Sequence, residues 1–145
     1  MARIEKSIEI NAPVGKVFTY LKDFEKMPEW NPSCKSHKIT SKGKIGVGST
    51  SHIVMESMGQ KMEYDSELTE YVENKKLSWH SDKPSRMDGT FAFTPIDKGT
   101  KLTFIMDYDL PYSIFGAILD KLKMSKEIEK ALDEATKNLK KILEK

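Results

Sequence analysis

Apolar residues follow two different spacings along this chain, and the change between them separates a helical end from a strand-rich middle. From Ser113 to Leu143, apolar residues recur at intervals of three and four, which places them on one face of a helix. Lysine and glutamate residues occupy the opposite face. About 30 residues in a helix span roughly 45 Å, which is longer than most globular helices. The pattern therefore predicts a long C-terminal amphipathic helix that requires an extended apolar partner.

The first thirty residues predict one strand followed by short helices. The segment from Arg3 to Ile10 alternates like a half-buried strand, although Lys6 falls on its apolar face. Asn11-Ala12-Pro13 then predicts a helix start, with a polar cap and a proline in the first turn. A further short turn is expected from Phe24 to Met27, ended by Pro28. The first of these helices buries a stripe formed by Val14, Val17, Phe18 and Leu21.

The middle of the chain alternates with period two and is divided by turn residues, so it predicts about six strands joined by short connections. Short connections make neighbouring strands antiparallel, and helices then lie on one side of the sheet. The fold class is therefore α+β. The expected strands are Cys34–Thr40, Ser49–Ser57, Lys61–Val72, Leu77–Ser81, Met87–Pro95 and Lys101–Leu110.

Length and charge narrow the class of protein. A chain of 145 residues without a linker or repeat is expected to form a single domain, 1–145. Its 24 basic and 22 acidic residues give a net charge of +2, which provides no signal for a nucleic-acid partner. One cysteine, Cys34, fits a reducing compartment. With no apolar leader and no long apolar run, the expected location is cytoplasmic, without integral membrane association.

Motifs for metal or cofactor chemistry are missing from the sequence. His37, His52 and His80 follow no ligand spacing, so neither a metal site nor a cofactor is expected. The glycine-rich stretch at 43–48 leads into a strand and lacks the ending of a phosphate-binding loop. The one polar pair considered for moving a proton is His52 with Glu56, and only if their strand face points inward.

Three segments resemble the START-like, or SRPBCC, superfamily and its polyketide cyclase/dehydrase-like branch. They are IEINAPVGKVFTYLKDFEKMPEWNPSC (8–34), VGSTSHIVM (47–55) and GTFAFTPIDKGTKLTFIMDYDLP (89–111). The resemblance covers nearly the whole chain. It implies a helix-grip fold, in which a curved antiparallel sheet of six to seven strands wraps around the long C-terminal helix, with two short helices after the first strand.

The resemblance also implies a cavity between sheet and helix, whereas the strand pattern alone favours an ordinary packed core. A cavity would bind a hydrophobic small molecule such as a lipid, isoprenoid or polyketide-like compound. Two alternatives stay open: a cyclase or aromatase acting on a polyketide-like substrate, and a co-chaperone-like module that binds proteins. Whether the chain is an enzyme, and its oligomeric state, are undecided. The expected ligand-binding residues are Tyr64, Trp79, Phe91, Phe93, Phe104, Met106, Tyr108, Phe115, Leu119 and Leu122.

The two halves of the long helix are expected to play different parts. Its first half, from Phe115 to Leu122, is predicted to be the cavity wall, and its second half, from Ile128 to Leu143, to be ordinary core. The segment from Leu110 to Gly116 is considered as a lid, or simply as the start of the helix.

Overall fold

The computed structural model describes residues 2–57, 59–83, 85–109 and 121–145, without the side chains of Ala2, Ser57 and residues 121–125. The described residues form one antiparallel sheet of seven strands and helices that cover one of its faces. The strands are β1 (Ala2–Ile10), β2 (Cys34–Ile39), β3 (Thr50–Ser57), β4 (Gln60–Val72), β5 (Lys76–Ser81), β6 (Met87–Ile96) and β7 (Gly99–Tyr108).

The helices are α1 (Val14–Lys22), α2 (Met27–Trp30) and α3 (Lys121–Leu143), and a 3-10 turn at Phe24–Lys26 joins the first two. The strand order β1-β7-β6-β5-β4-β3-β2 pairs each strand from β2 onwards with its successor and adds β1 beside β7. The prediction of an α+β helix-grip fold is confirmed. The predicted start of the long helix, at Ser113, lies outside the described residues.

Two local predictions about the N-terminal helices were wrong. Proline was expected in the first turn of α1, but Pro13 occupies the N-cap position, and no side chain caps this helix. Asn11, the expected polar cap, lies before the helix, and its backbone N–H donates to the carboxylate of Glu144 at 2.8 Å. Pro28 does not stop a helix but stands in the first turn of α2. That position tolerates proline because the first N–H groups of a helix have no partner within the helix.

A solid core fills one end of the inner face of the sheet. It forms where β1 and β6 end and β7 begins, and α1 packs there on β6 and β7, with the last turns of α3 close by. Phe18 of α1 is fully buried, and its ring lies 5.2 Å from that of Phe93 and 5.5 Å from that of Tyr71. Leu139 and Leu143 of α3 belong to the same cluster.

Polar contacts hold α3 to the rest of the molecule. Lys6, on the inner face of β1, forms an ion pair with Asp133 of α3, which explains a lysine on an otherwise apolar strand face. The amide of Asn138 donates to the carbonyl of Trp30 at 3.2 Å and so connects α3 to α2. These two contacts fix the second half of the long helix against β1 and against α2.

Substituting Phe18→Ala is expected to lower the free energy of unfolding by about 3–5 kcal/mol, because it removes a fully buried ring and leaves a cavity. Thr19→Ala, one position along on the exposed face, is the matched control and should change it by less than about 0.5 kcal/mol. Urea denaturation measures both. Equal effects of the two substitutions would contradict the position of α1 on the sheet.

Candidate functional site

A cavity of about 200 Å³ lies between the sheet and α3, at the end opposite the solid core. This end is formed where β1, β4 and β6 begin and where β3 and β7 end. The helix α2 and the first residues after it close part of one side, through Met27, Trp30 and Ser33. The cavity is therefore bounded by the strand ends that α1 does not reach.

Side chains that point inward from alternate strand positions form the sheet wall. The aromatic rings pack against one another: the centroids of Trp79 and Phe91 are 5.1 Å apart, and those of Phe91 and Phe104 are 5.4 Å apart. Methionine contributes much of the remaining wall, which also includes Ile4, Ile53 and Leu102. The lining methionines are Met27, Met55, Met62, Met87 and Met106.

The wall on the helix side comes from the middle of α3. Small residues face the cavity there, among them Ala131, Ala135 and Thr136, together with Ile128, Leu132 and Leu139. The hydroxyl of Thr136 donates to the carbonyl of Asp133 at 2.9 Å, so it is satisfied within the helix. The prediction that the second half of the helix is only core was therefore wrong, because its apolar face serves both core and cavity.

The structure brings together six of the ten expected ligand-binding residues along the cavity: Tyr64, Trp79, Phe91, Phe104, Met106 and Tyr108. Phe93 points to the same side of the sheet but lies in the solid core against Phe18. Phe115 and Leu119, with the side chain of Leu122, lie outside the described residues, as does the segment considered as a lid. The sequence did not identify the α3 residues that line the cavity, although their spacing of three and four places them on one face of the helix.

Trp79 takes its place in the cavity wall because a glycine faces it. Trp79 and Gly89 are directly paired across β5 and β6. A Cβ atom on Gly89 would overlap Cζ2 of the indole, at a separation that real Cβ contacts do not reach. The indole therefore lies flat over the backbone of β6, and only glycine leaves the room for it.

The cavity is nearly free of charge. Among the described residues that line it, the charged groups are Glu56, which is exposed, and Asp109, whose carboxylate lies 3.4 Å from Nε of Arg86. Burial raises the pKa of Tyr64 and of Tyr108, so both phenols stay protonated at neutral pH. The hydroxyl of Tyr64 donates to Sδ of Met62 at 3.4 Å. The site can therefore hold an apolar molecule and present phenolic hydroxyl groups to it, of which that of Tyr64 already donates its proton to Met62.

A smaller cavity of about 30 Å³ adjoins the first, and the two share Met27, Ile53 and Trp79 in their walls. His37 of β2 lines it and is 94% buried, since its exposed fraction is 6%. Neither ring nitrogen of His37 has a hydrogen-bond partner among the described residues, and the ring stacks on Phe24 at 5.5 Å. Burial lowers the pKa of His37 to about 4, so the imidazole is neutral at pH 7.

The other two histidines lie on the outer face of the sheet. Ser51, Ile53 and Met55 point inward from β3, so His52 points outward, and Glu56 is exposed. His52 contacts Asp65 at 2.8 Å and Glu63 at 3.1 Å, and these hydrogen bonds raise its pKa. The condition under which His52 and Glu56 would form a pair inside the cavity is therefore not met. His80 likewise lies between Asp88 and Asp82.

Substituting Gly89→Ala should displace the indole of Trp79 and leave the core at the other end unchanged. Fluorine NMR on protein labelled with 5-fluorotryptophan reports both tryptophans, and we expect one of the two resonances to move. Gly15→Ala is the matched control, because a Cβ there meets no atom within 4 Å. An unchanged spectrum for Gly89→Ala would contradict the packing of Trp79 on β6.

His37 should make the protein less stable as the pH falls. Its pKa is about 4 when folded and about 6.5 when unfolded, so between these values the unfolded chain binds more protons. His37→Phe keeps an aromatic ring against Phe24 and removes this titration. Its free energy of unfolding should therefore fall less than that of the wild type between pH 7 and pH 4.5, as measured by urea denaturation.

His52→Gln is a control for which the pH dependence of the free energy of unfolding should have the opposite sign. Because the folded pKa of His52 is raised, its contribution is present in full below about pH 6.5 and is lost as the pH rises through the folded value. The stability advantage of the wild type over His52→Gln should therefore be larger at pH 6 than at pH 8.5. Differences that stay constant with pH for both variants would refute these assignments.

In the described part of the chain, no helix combines the length and the apolar character that a bilayer crossing requires. Two solved structures share the whole architecture. The protein TTHA0849 from Thermus thermophilus superimposes with a TM-score of 0.81 at 24% identity, over 97% of this chain and 95% of that chain. A START superfamily protein from Mycobacterium smegmatis gives a TM-score of 0.78 at 20% identity, over 98% and 97%.

Sequence comparison leads to the same group. An uncharacterised 17.2 kDa protein encoded in the melC2-rnhH intergenic region of Streptomyces lincolnensis is 26% identical over 124 residues, which is 84% of this chain and 78% of that protein. A family model described as polyketide cyclase / dehydrase and lipid transport matches residues 1–144. Fold, cavity and sequence therefore agree that the chain belongs to the polyketide cyclase / dehydrase and lipid transport family, whose fold binds hydrophobic ligands.

Proposed function

We propose that this protein binds a hydrophobic small molecule in the cavity between the sheet and α3. The observation that carries the proposal is the wall itself: aromatic rings and thioethers surround about 200 Å³, with carboxylates confined to Glu56 and Asp109 among the described lining residues. Such a wall favours apolar ligands, because every buried contact removes apolar surface from water and few polar groups compete.

The size of the cavity indicates the kind of ligand. An apolar cavity of about 150 Å³ accommodates benzene, so this one suits a molecule of roughly two fused rings or a short branched isoprenoid chain. Lipids and polyketide-like compounds carry such groups. The five methionines in the wall are unbranched and adaptable, which lets the cavity adjust to ligands that differ in outline.

A cyclase or aromatase is the second candidate, and the phenols of Tyr64 and Tyr108 favour it. Both phenols are protonated at neutral pH, and a phenol O–H group suits the polarisation of a carbonyl group more than the removal of a proton. Such an enzyme also needs a base beside the bound chain. The exposed Glu56 and the ion-paired Asp109 are poorly placed for that task, so binding without covalent chemistry is the better supported function.

Methionine-methyl NMR with naphthalene as the probe tests the binding proposal. We expect the signals of lining methionines such as Met62 and Met106 to shift on titration. Ala131→Phe fills the cavity from α3 and should weaken naphthalene binding at least tenfold. The matched control is Ala92→Phe on the outer face of β6, which should leave the affinity within about twofold.

Two results would refute the proposal: no methionine shift at saturating naphthalene, or equal affinities for the Ala131→Phe variant and the wild type. Native mass spectrometry of freshly purified protein adds an independent measurement. A bound apolar compound that is released from the wild type and absent from Ala131→Phe would support binding in this cavity.

A further inference from the structure

The smaller cavity differs from the larger one in chemistry. We call it the polar annex; its own lining residues are His37, Ser49, Ser51, Ser66, Phe24 and Leu68, and it shares three others with the main cavity. Ser51 and Ser66 are paired directly across β3 and β4, and both are buried, with exposed fractions of 8% and 7%. Histidine and serine thus cluster beside a cavity whose wall is mostly apolar.

His37 is the unusual member of this cluster. A buried imidazole normally has a partner for at least one nitrogen, and leaving a buried polar group without one costs about 1–3 kcal/mol. Here both nitrogens are buried and have no partner among the described residues. Because neither nitrogen is accessible to a water molecule, the imidazole must rotate slightly to present one of them to the annex. A neutral imidazole has one N–H donor and one acceptor nitrogen, so it can bind either a hydroxyl or a carbonyl group.

We propose that the polar annex binds a single uncharged hydroxyl or carbonyl group of the ligand, whose apolar body occupies the main cavity. This inference rests on the proposed function and narrows the ligand class to phenols, alcohols and ketones with one apolar end. An annex of about 30 Å³ is large enough for such a group, since a water molecule needs only about 10–15 Å³ in this measure.

A charged ligand group fits the annex poorly. No charged side chain stands among the described residues that line it, and the nearest basic candidate, His37, is kept neutral by burial. An isolated carboxylate moved into such surroundings would lose its hydration without gaining a partner of opposite charge. The annex therefore selects for uncharged polar groups.

The wall between the two cavities can open without a change of fold. Three side chains belong to both linings: Ile53, Trp79 and Met27. Trp79 is fixed by its contact with Gly89, and Ile53 is branched and stiff at χ1. Met27 is half-buried and unbranched, so a change of its rotamer is the simplest way to join the cavities.

Naphthalene and 2-naphthol form a matched pair of probes that differ by one hydroxyl group. In the wild type, we expect 2-naphthol to bind about threefold to tenfold more tightly than naphthalene, which is the gain of one hydrogen bond. In His37→Phe, the naphthalene affinity should stay within about twofold, and the preference for 2-naphthol should disappear. Ser51→Ala should also reduce the preference for 2-naphthol over naphthalene.

The wild-type protein gives a second measurement that does not depend on a variant folding. Nitrogen NMR of the imidazole rings should show His37 shifting with 2-naphthol and not with naphthalene, while His52 and His80 stay unchanged. If neither probe binds, the proposed function fails. If both bind with equal affinity, or if His37 does not respond to 2-naphthol, the annex proposal alone is overturned and apolar binding stands.

Discussion

This structure depends on one geometric constraint, which is that the sheet is much wider than the helix that covers it. Seven strands spaced about 4.8 Å apart make a sheet roughly 29 Å wide, whereas a helix with its side chains is about 10–12 Å across. One long helix cannot cover the inner face of such a sheet if the sheet is flat. The sheet therefore curves around α3, and α1 fills only the end that contains Phe18. The cavity is what remains at the other end, where α2 closes only part of one side.

The same constraint explains why alternation along the strands predicted the fold well and the site only in part. Period two in residues 87–108 specifies which side chains point inward, and the register of β6 with β7 follows from that pattern. Phe91 and Phe93 illustrate the limit. Both point inward from one strand, yet one lines the cavity and the other contacts Phe18. Only their distance from α1 separates them, and that distance is a tertiary property.

Helix α3 shows a second limit of the same kind. Its amphipathic spacing identifies the buried face but not the point along the axis at which core gives way to cavity. That point is set by contacts with distant segments, such as the ion pair of Lys6 with Asp133 and the hydrogen bond of Asn138 to Trp30. For β3, both faces mix polar and apolar residues, so only the pairing of Ile53 with Tyr64 fixes which one points inward.

The contact of Gly89 with Trp79 has a consequence for how this scaffold can diverge. Gly89 is absent from the described lining of the cavity, yet any side chain there would push an indole that forms part of the wall. The volume of the cavity therefore depends on residue 89, which does not itself line the cavity. A single mutation in the codon for Gly89 could therefore adapt the protein to a smaller ligand without changing any residue that contacts the ligand.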